Sequence, residues 1–307
     1  MKLHIQFLKH MNLWYFIFAA VMVMAIGIIA VKGFNYGVDF TGGNLIELKF
    51  QNETSVNTVN AQLDKVAMTY NVVNKDKVRV QGSKDELGKN TVVIIRTPEL
   101  SETEKAGVME GLKAVGSYEV RKVDKIGATI GSELRNNAIL ALIIGTILII
   151  GYISMRFEIR YALAAIIALV HDIIVAMGVI SLLGFEVNAT FIAAILTILG
   201  YSINDTIVVY DRIRENSKKT PNAEIGNLMD ISINQVLGRS INTSVATLLA
   251  LTAIALFGGD SLRTFTVTLI AGIASGTFSS IFVASPMTYL LEKKFPKKKD
   301  GIKVETV

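Results

Sequence analysis

An aspartate stands inside a stretch long and apolar enough to cross a membrane. Phe191 to Tyr210 is almost wholly apolar until it carries Asn204-Asp205-Thr206, and it then runs into Asp211-Arg212-Ile213-Arg214-Glu215-Asn216. A carboxylate in a membrane helix costs several kcal/mol, roughly 2.5–3.5 on insertion scales, and is tolerated for a proton or ion path or for a buried partner. Asp205 lies about five residues, or ~8 Å, inside the Tyr210 end. Two readings stand: a carboxyl that loads and releases a proton near neutral pH, or a structural aspartate bonded to a helix cap or an arginine. Arg239, in Gly238-Arg239-Ser240-Ile241-Asn242-Thr243-Ser244, opens a later apolar stretch and is long enough to reach inward. Protonating Asp205 would free such an arginine; the other account is an arginine that snorkels to the headgroups. His171-Asp172, near the middle of a third apolar stretch, is a second candidate relay. Adjacent helical residues point ~100° apart, so these two are expected to face different partners. Polar packing against Asn204 or Thr206 is the competing account.

The elements that must position these residues are membrane spans. The 307 residues are 51% hydrophobic and 19% charged, with a mean hydropathy of +0.47, too apolar for an ordinary soluble protein. The net charge of +5 gathers at the ends of apolar stretches, so it reads as topology and not as a nucleic-acid surface. The chain has no cysteine, hence no thiolate nucleophile or disulfide, and His4, His10 and His171 are too scattered for a metal cluster. No nucleophile–base set or phosphate loop appears, so neither an enzyme nor a bound cofactor or metal is expected.

Six spans are predicted, at about 13–31, 138–155, 162–183, 189–210, 240–257 and 265–291, near the ~17–25 residues that a bilayer requires. The first is longer than a signal-peptide core and reads as an uncleaved anchor. Arg156, Arg160, Arg212, Arg214, Lys218, Lys219, Arg239, Lys293 and Lys294 fall on one side with Lys2, Lys9 and Lys297–Lys299; the opposite short loops carry only Arg263. The positive-inside rule then makes both termini cytoplasmic and residues 35–137 extracytoplasmic. Gly272, Ala274, Ser275, Gly276, Ser279 and Ser280 in the last span form a small-residue surface, for helix packing or for an interface to another membrane subunit.

Between the first two spans lies an α+β domain. Ile46, Leu48 and Phe50 alternate with charged residues, as on a half-buried strand. Val56, Val59, Leu63, Val66 and Tyr70 then recur at helical spacing. Strands follow at Val78–Val80 and Val92–Ile95, the second stopped by Pro98. Ser101-x-x-Glu104 is a capping box for a second helix, and Tyr118–Arg121 is a last strand. The order β-α-β-β-α-β is that of a ferredoxin-like fold. Gly37, Asp39, Gly42 and Gly43 mark a sharp turn at its entry. Gly127 and Gly131 read as a hinge or an ordinary linker at its exit. Four segments result: 1–34, the N-terminus and first span; 35–137, the extracytoplasmic domain and hinge; 138–292, a five-helix bundle; and 293–307, a basic tail.

Leu199 to Asn216 closely resembles the fourth membrane helix of the SecF family of bacterial protein-export subunits, and Gly37-Val-Asp-Phe-Thr-Gly-Gly43 resembles the signature shared with the SecD family. The resemblance extends to His171-Asp172 and to Arg239–Ser244, and so covers nearly the whole chain. It implies a polytopic α-helical membrane protein, six spans forming one half of a resistance-nodulation-division (RND) unit, in the bacterial inner membrane. It implies SecD as the partner half, association with the SecYEG channel and often YajC and YidC, and contact with a translocating unfolded polypeptide as well as lipid. It also implies that the proton motive force drives late translocation. On that resemblance Asp205, flanked by Asn204 and Thr206, carries the proton and Arg239 responds; the family's matching carboxylate on SecD is not on this chain. A structural scaffold without proton coupling and half of an RND-type small-molecule exporter are the competing functions.

Overall fold

The computed structural model describes residues 5–70, 78–83 and 89–295. His4, Lys2, residues 84–88 of the turn-rich stretch between Gly82 and Asn90, and nearly all of the basic tail lie outside them. In chain order the elements are a 3-10 turn at Leu8–His10, α1 (Met11–Lys32), β1 (Asn35–Tyr36), α2 (Val38–Thr41), β2 (Gly43–Phe50), α3 (Val56–Tyr70), β3 (Arg79–Ser83), β4 (Val92–Thr97), α4 (Glu102–Leu112), β5 (Tyr118–Ile126), α5 (Ala128–Arg156), α6 (Ile159–Leu183), β6 (Glu186–Val187), α7 (Ala189–Lys219), α8 (Ile225–Phe257), α9 (Asp260–Ser279), one π-helical turn at Ser280–Ala284 and α10 (Ser285–Lys294). Six helices are long and apolar enough to cross a membrane: Leu8–Lys32, Ala128–Arg156, Ile159–Leu183, Ala189–Lys219, Ile225–Phe257 and Leu262–Lys294. The chain is therefore a polytopic α-helical membrane protein with an inserted α+β region. It divides into two compact units, one built from the spans and one from Tyr36–Ala141 with Val187–Ala189.

In the first unit, α6, α7 and the last span supply the interior, whereas α1 and α8 expose most of their apolar surface. Small residues let the interior helices close on one another, since association within a bilayer relies on packing and hydrogen bonds. Ala162, Ala165, Ala168, Ala176 and Gly178 line the buried side of α6; a Cβ on Gly178 would come 2.7 Å from that of Ala25. Gly272 and Gly276 of α9 meet Ile198 and Ser202 of α7 in the same way. The small-residue surface of the last span is thus, at these two positions, a contact within the chain. Phe7, Tyr210, Ile213, Met229 and Ile233 belong to one apolar core.

The N-terminal segment is pinned to the start of α8. Asn234 grips the backbone of Ile5 from both sides, accepting from its N–H at 2.9 Å and donating to its carbonyl at 2.8 Å. Asp230 accepts from the Leu8 N–H. These contacts accompany a helix that begins at Ile225, well before the span expected from hydropathy at residue 240.

In the second unit the sheet order is β3-β4-β2-β5, every neighbour antiparallel. Each β-α-β connection skips one strand, which is the arrangement of a β-α-β-β-α-β sheet of the split type. Ile46, Leu48 and Phe50 point to one buried face with Val93 and Ile95, against Val59, Leu63 and Val66 of α3 and Val108 and Leu112 of α4. The capping box forms: Ser101 Oγ accepts from the Glu104 N–H at 3.3 Å, and Glu104 Oε2 accepts from the Ser101 N–H at 2.6 Å. That bond holds the Glu104 carboxyl below the usual carboxylate range. One expectation changes. The helix start expected after the Gly127–Gly131 hinge or linker comes early: α5 begins at Ala128 and takes in Gly131, so only Gly127 lies between β5 and α5.

Candidate proton-coupling site

Asp205 is buried on α7 with 4% of its surface exposed. Its one hydrogen bond among the described residues comes from Ser244 Oγ of α8, a long contact of 3.3 Å to Oδ2. Ser244 Oγ lies 2.7 Å from Thr277 Oγ1 of α9. The carboxyl therefore sits at the end of a short hydroxyl chain drawn from two other spans. Thr206 faces the last span, where its hydroxyl lies 2.8 Å from Ser280 Oγ. Asn204 is exposed, away from both.

No ion pair joins Arg239 to Asp205 among the described residues. Arg239 is exposed, about four turns into α8, and its carbonyl accepts from Thr243 Oγ1. The geometry explains the separation. Ser244 is the α8 residue that faces Asp205, and five residues earlier a helix has turned to a direction ~140° away. The serine holds the place expected for the arginine.

His171 and Asp172 are both buried on α6. Contrary to the expectation that they face apart, His171 Nδ1 lies 3.1 Å from Asp172 Oδ1, and Ser275 Oγ lies within 3.4 Å of that nitrogen. The carboxylate reaches back along its own helix to meet the ring. The ring stacks on Phe18, with centroids 4.4 Å apart. Among the described residues Asp172 has no hydrogen bond to Asn204 or Thr206. It accepts from Ser275 Oγ at 2.6 Å, Ser202 Oγ at 2.6 Å and Ser279 Oγ at 2.7 Å. The sequence pattern marks Ser275 and Ser279 as packing residues and gives Ser202 and Ser244 no role beyond the stretches that contain them. The available signals were the four-residue spacing of Ser275 and Ser279 and the position of Ser202 one turn before Asp205.

The glycine signature is shaped by sterics. Gly42 and Gly43 have φ of +69° and +124°, and a Cβ on Gly43 would stand 2.2 Å from the Thr97 carbonyl oxygen. Only glycine fits such a backbone. Gly37 donates its N–H to Val187 O, and Asp39 Oδ2 accepts from the Ala189 N–H at 3.0 Å, capping the first residue of α7. Gly131 lies against Gly42, where a Cβ would come 2.9 Å from the Gly42 nitrogen. Gly127 has open space beside it.

Two family profiles match. Residues 27–54 match the SecD/SecF GG motif, and residues 108–294 match the C-terminal region of protein export membrane proteins SecD/SecF. The protein translocase subunit SecF of Sebaldella termitidis is 47% identical over 295 residues, covering 94% of each chain. The chain belongs to the SecF family. SecF of Haemophilus influenzae is 37% identical, over 92% of this chain and 85% of its own. Among solved structures, SecDF of Thermus thermophilus, a translocon-associated membrane protein, superposes with a TM-score of 0.86 at 33% identity. The match covers 95% of this chain and 39% of that one, so this SecF-family chain spans well under half of the SecDF polypeptide. SecDF described as a super-membrane-facing form matches at the same identity with a TM-score of 0.68.

Proposed function

We propose that this chain is the SecF half of a SecD–SecF unit that uses the proton motive force at Asp205 to promote late translocation and release of secreted polypeptides. The observation that carries the reading is the state of Asp205: a buried carboxyl in a membrane span, with one long hydrogen bond and no cation beside it among the described residues. A purely structural carboxylate in a bilayer is expected to be fully bonded; this one has acceptor capacity left. On the two helices that carry Asp205 and its donor Ser244, Asn204, Arg239, Asn242 and Thr243 are exposed polar residues. Such residues seldom face lipid, so they support a protein partner against α7 and α8. The second half, SecD, is the partner of that kind, and in its presence Arg239 and a matching carboxylate would complete the site.

The charge pattern supports an orientation with both termini cytoplasmic and residues 35–137 outside the inner membrane, where an emerging polypeptide would be met. One proton crossing ~100 mV releases about 2.3 kcal/mol, enough to bias a two-state movement more than tenfold. Rigid rocking of one half-bundle against another is the usual movement in such repeats. The SecYEG channel, YajC and YidC are the further partners that this role calls for.

The test is export of a secretory precursor into vesicles carrying Asp205→Asn together with SecD, with and without a proton gradient, after confirming assembly. The expected result is normal assembly and no gradient-dependent gain. Full gradient dependence in that variant would make Asp205 a structural residue of a scaffold subunit.

A further inference from the structure

The second buried carboxylate differs in kind from the first. A carboxylate offers about four lone-pair positions. With His171 in its Nδ1–H tautomer all four are taken in Asp172: Oδ1 by His171 Nδ1 and Ser275 Oγ, Oδ2 by Ser202 Oγ and Ser279 Oγ. The group is fully enclosed. A proton added to either oxygen would displace a donor, and the displaced hydroxyl would be left in a dry site. This is poor geometry for a group that must load and release protons, and good geometry for one that holds helices in place.

What it holds is informative. Ser202 stands on α7 one turn before Asp205. Ser275 and Ser279 stand on α9 two residues to either side of Thr277, whose hydroxyl meets Ser244, the donor to Asp205. Gly276 lets α9 approach so closely that a Cβ there would lie 2.9 Å from the Ser202 Cβ. Asp172 thus fixes the rotation and height of both helices that, with α8, build the Asp205 site. We propose that Asp172 is the positioning residue of that site, clamping α7 and α9 in register without carrying the proton itself. The inference rests on the reading of Asp205 as the proton carrier.

The described titratable side chains on the surrounding helices are Tyr15 and Lys32 of α1, Tyr201, Asp205, Tyr210, Asp211, Arg212, Arg214, Glu215, Lys218 and Lys219 of α7, Asp230 and Arg239 of α8, Arg263 of α9, and Tyr289, Glu292, Lys293 and Lys294 of α10. Among the described residues, His171 is the one that bonds Asp172.

The experiment compares Asp172→Asn, Ser275→Ala and Asp205→Asn, each with SecD in vesicles, for gradient-dependent export over a pH series. Ser275→Ala removes a hydroxyl that reaches only Asp172 and its neighbour His171, so it perturbs a clamp and leaves the Asp172 carboxyl in place. Both Asp172→Asn and Ser275→Ala are expected to keep part of the gradient-dependent gain, reduced roughly three- to tenfold and less in the serine variant. Both are expected to move the midpoint of the pH profile by about half a unit or more. Where Asp172→Asn does not assemble, Ser275→Ala alone decides. Loss of all gradient dependence in Asp172→Asn, with an unmoved profile in Ser275→Ala, would make Asp172 a carrier and overturn the proposal. An unchanged rate and profile in both would overturn it as well. If Asp205→Asn retains full coupling, it is the reading of Asp205 that fails, whatever the other two variants do.

Discussion

Asp205 and Asp172 are both buried carboxyls on neighbouring spans, yet one has a single long donor and the other has three short serine donors with His171 Nδ1 beside them. The difference separates two uses of an expensive group in a membrane. A fully bonded carboxylate is held in one state and so lends rigidity. A sparsely bonded one is free to change state and so can respond to a gradient. The two are joined through α7 and α9, so the rigid site sets the geometry of the responsive one.

The largest effect should come from removing the close approach that lets the rigid site form. Gly276→Leu would push α9 from Ser202, at a cost of about 1–3 kcal/mol, seen as a lowered Tm of the purified protein in detergent. An unchanged Tm would mean that the helices do not need this contact. A smaller effect should separate the two hydroxyl sets. Ser279→Ala is expected to cost about 1 kcal/mol in stability. Ser244→Ala should cost less, because its bond is long, but should alter the pH dependence of coupled export. Equal stability losses with unaltered pH profiles would erase the distinction between the sites. The smallest effect concerns a third carboxylate, solvent-exposed Glu104. Its affinity for protons is lowered in the fold, so its stabilising contribution is present above the unfolded carboxylate range and is lost as pH falls through the lower folded value. Glu104→Gln should flatten the acid limb of thermal stability without changing coupled export.

The six spans and the strand order of the inserted unit were legible because each follows from a short-range pattern: runs of apolar residues, alternation in β2, the capping box before α4. Asp205 was legible because a charge in an apolar run needs no neighbours to be conspicuous. Its surroundings were not. Hydropathy could not show that α8 starts at Ile225, so the direction of Arg239 relative to Asp205 was hidden. Ser275 and Ser279 lie among glycines and alanines, where a hydroxyl reads as a small residue until the helix bearing Asp172 is set beside it. Gly131 looked like a hinge because sequence reports only that a glycine has no side chain, not that Gly42 occupies the space.

The π-helical turn at Ser280–Ala284 acts as a phase corrector. Ser280 meets Thr206, and Thr288 donates to the Tyr210 hydroxyl at 2.9 Å, so both must face α7. Eight residues of regular α-helix would leave them ~80° out of phase; the wider turn absorbs that angle. The last span is therefore spliced from two α-helical pieces with separate angular origins. A one-residue deletion within the turn would put Ser280 and Thr288 seven residues apart, only ~20° out of phase in regular α-helix, so the wider turn would no longer be needed for both to face α7.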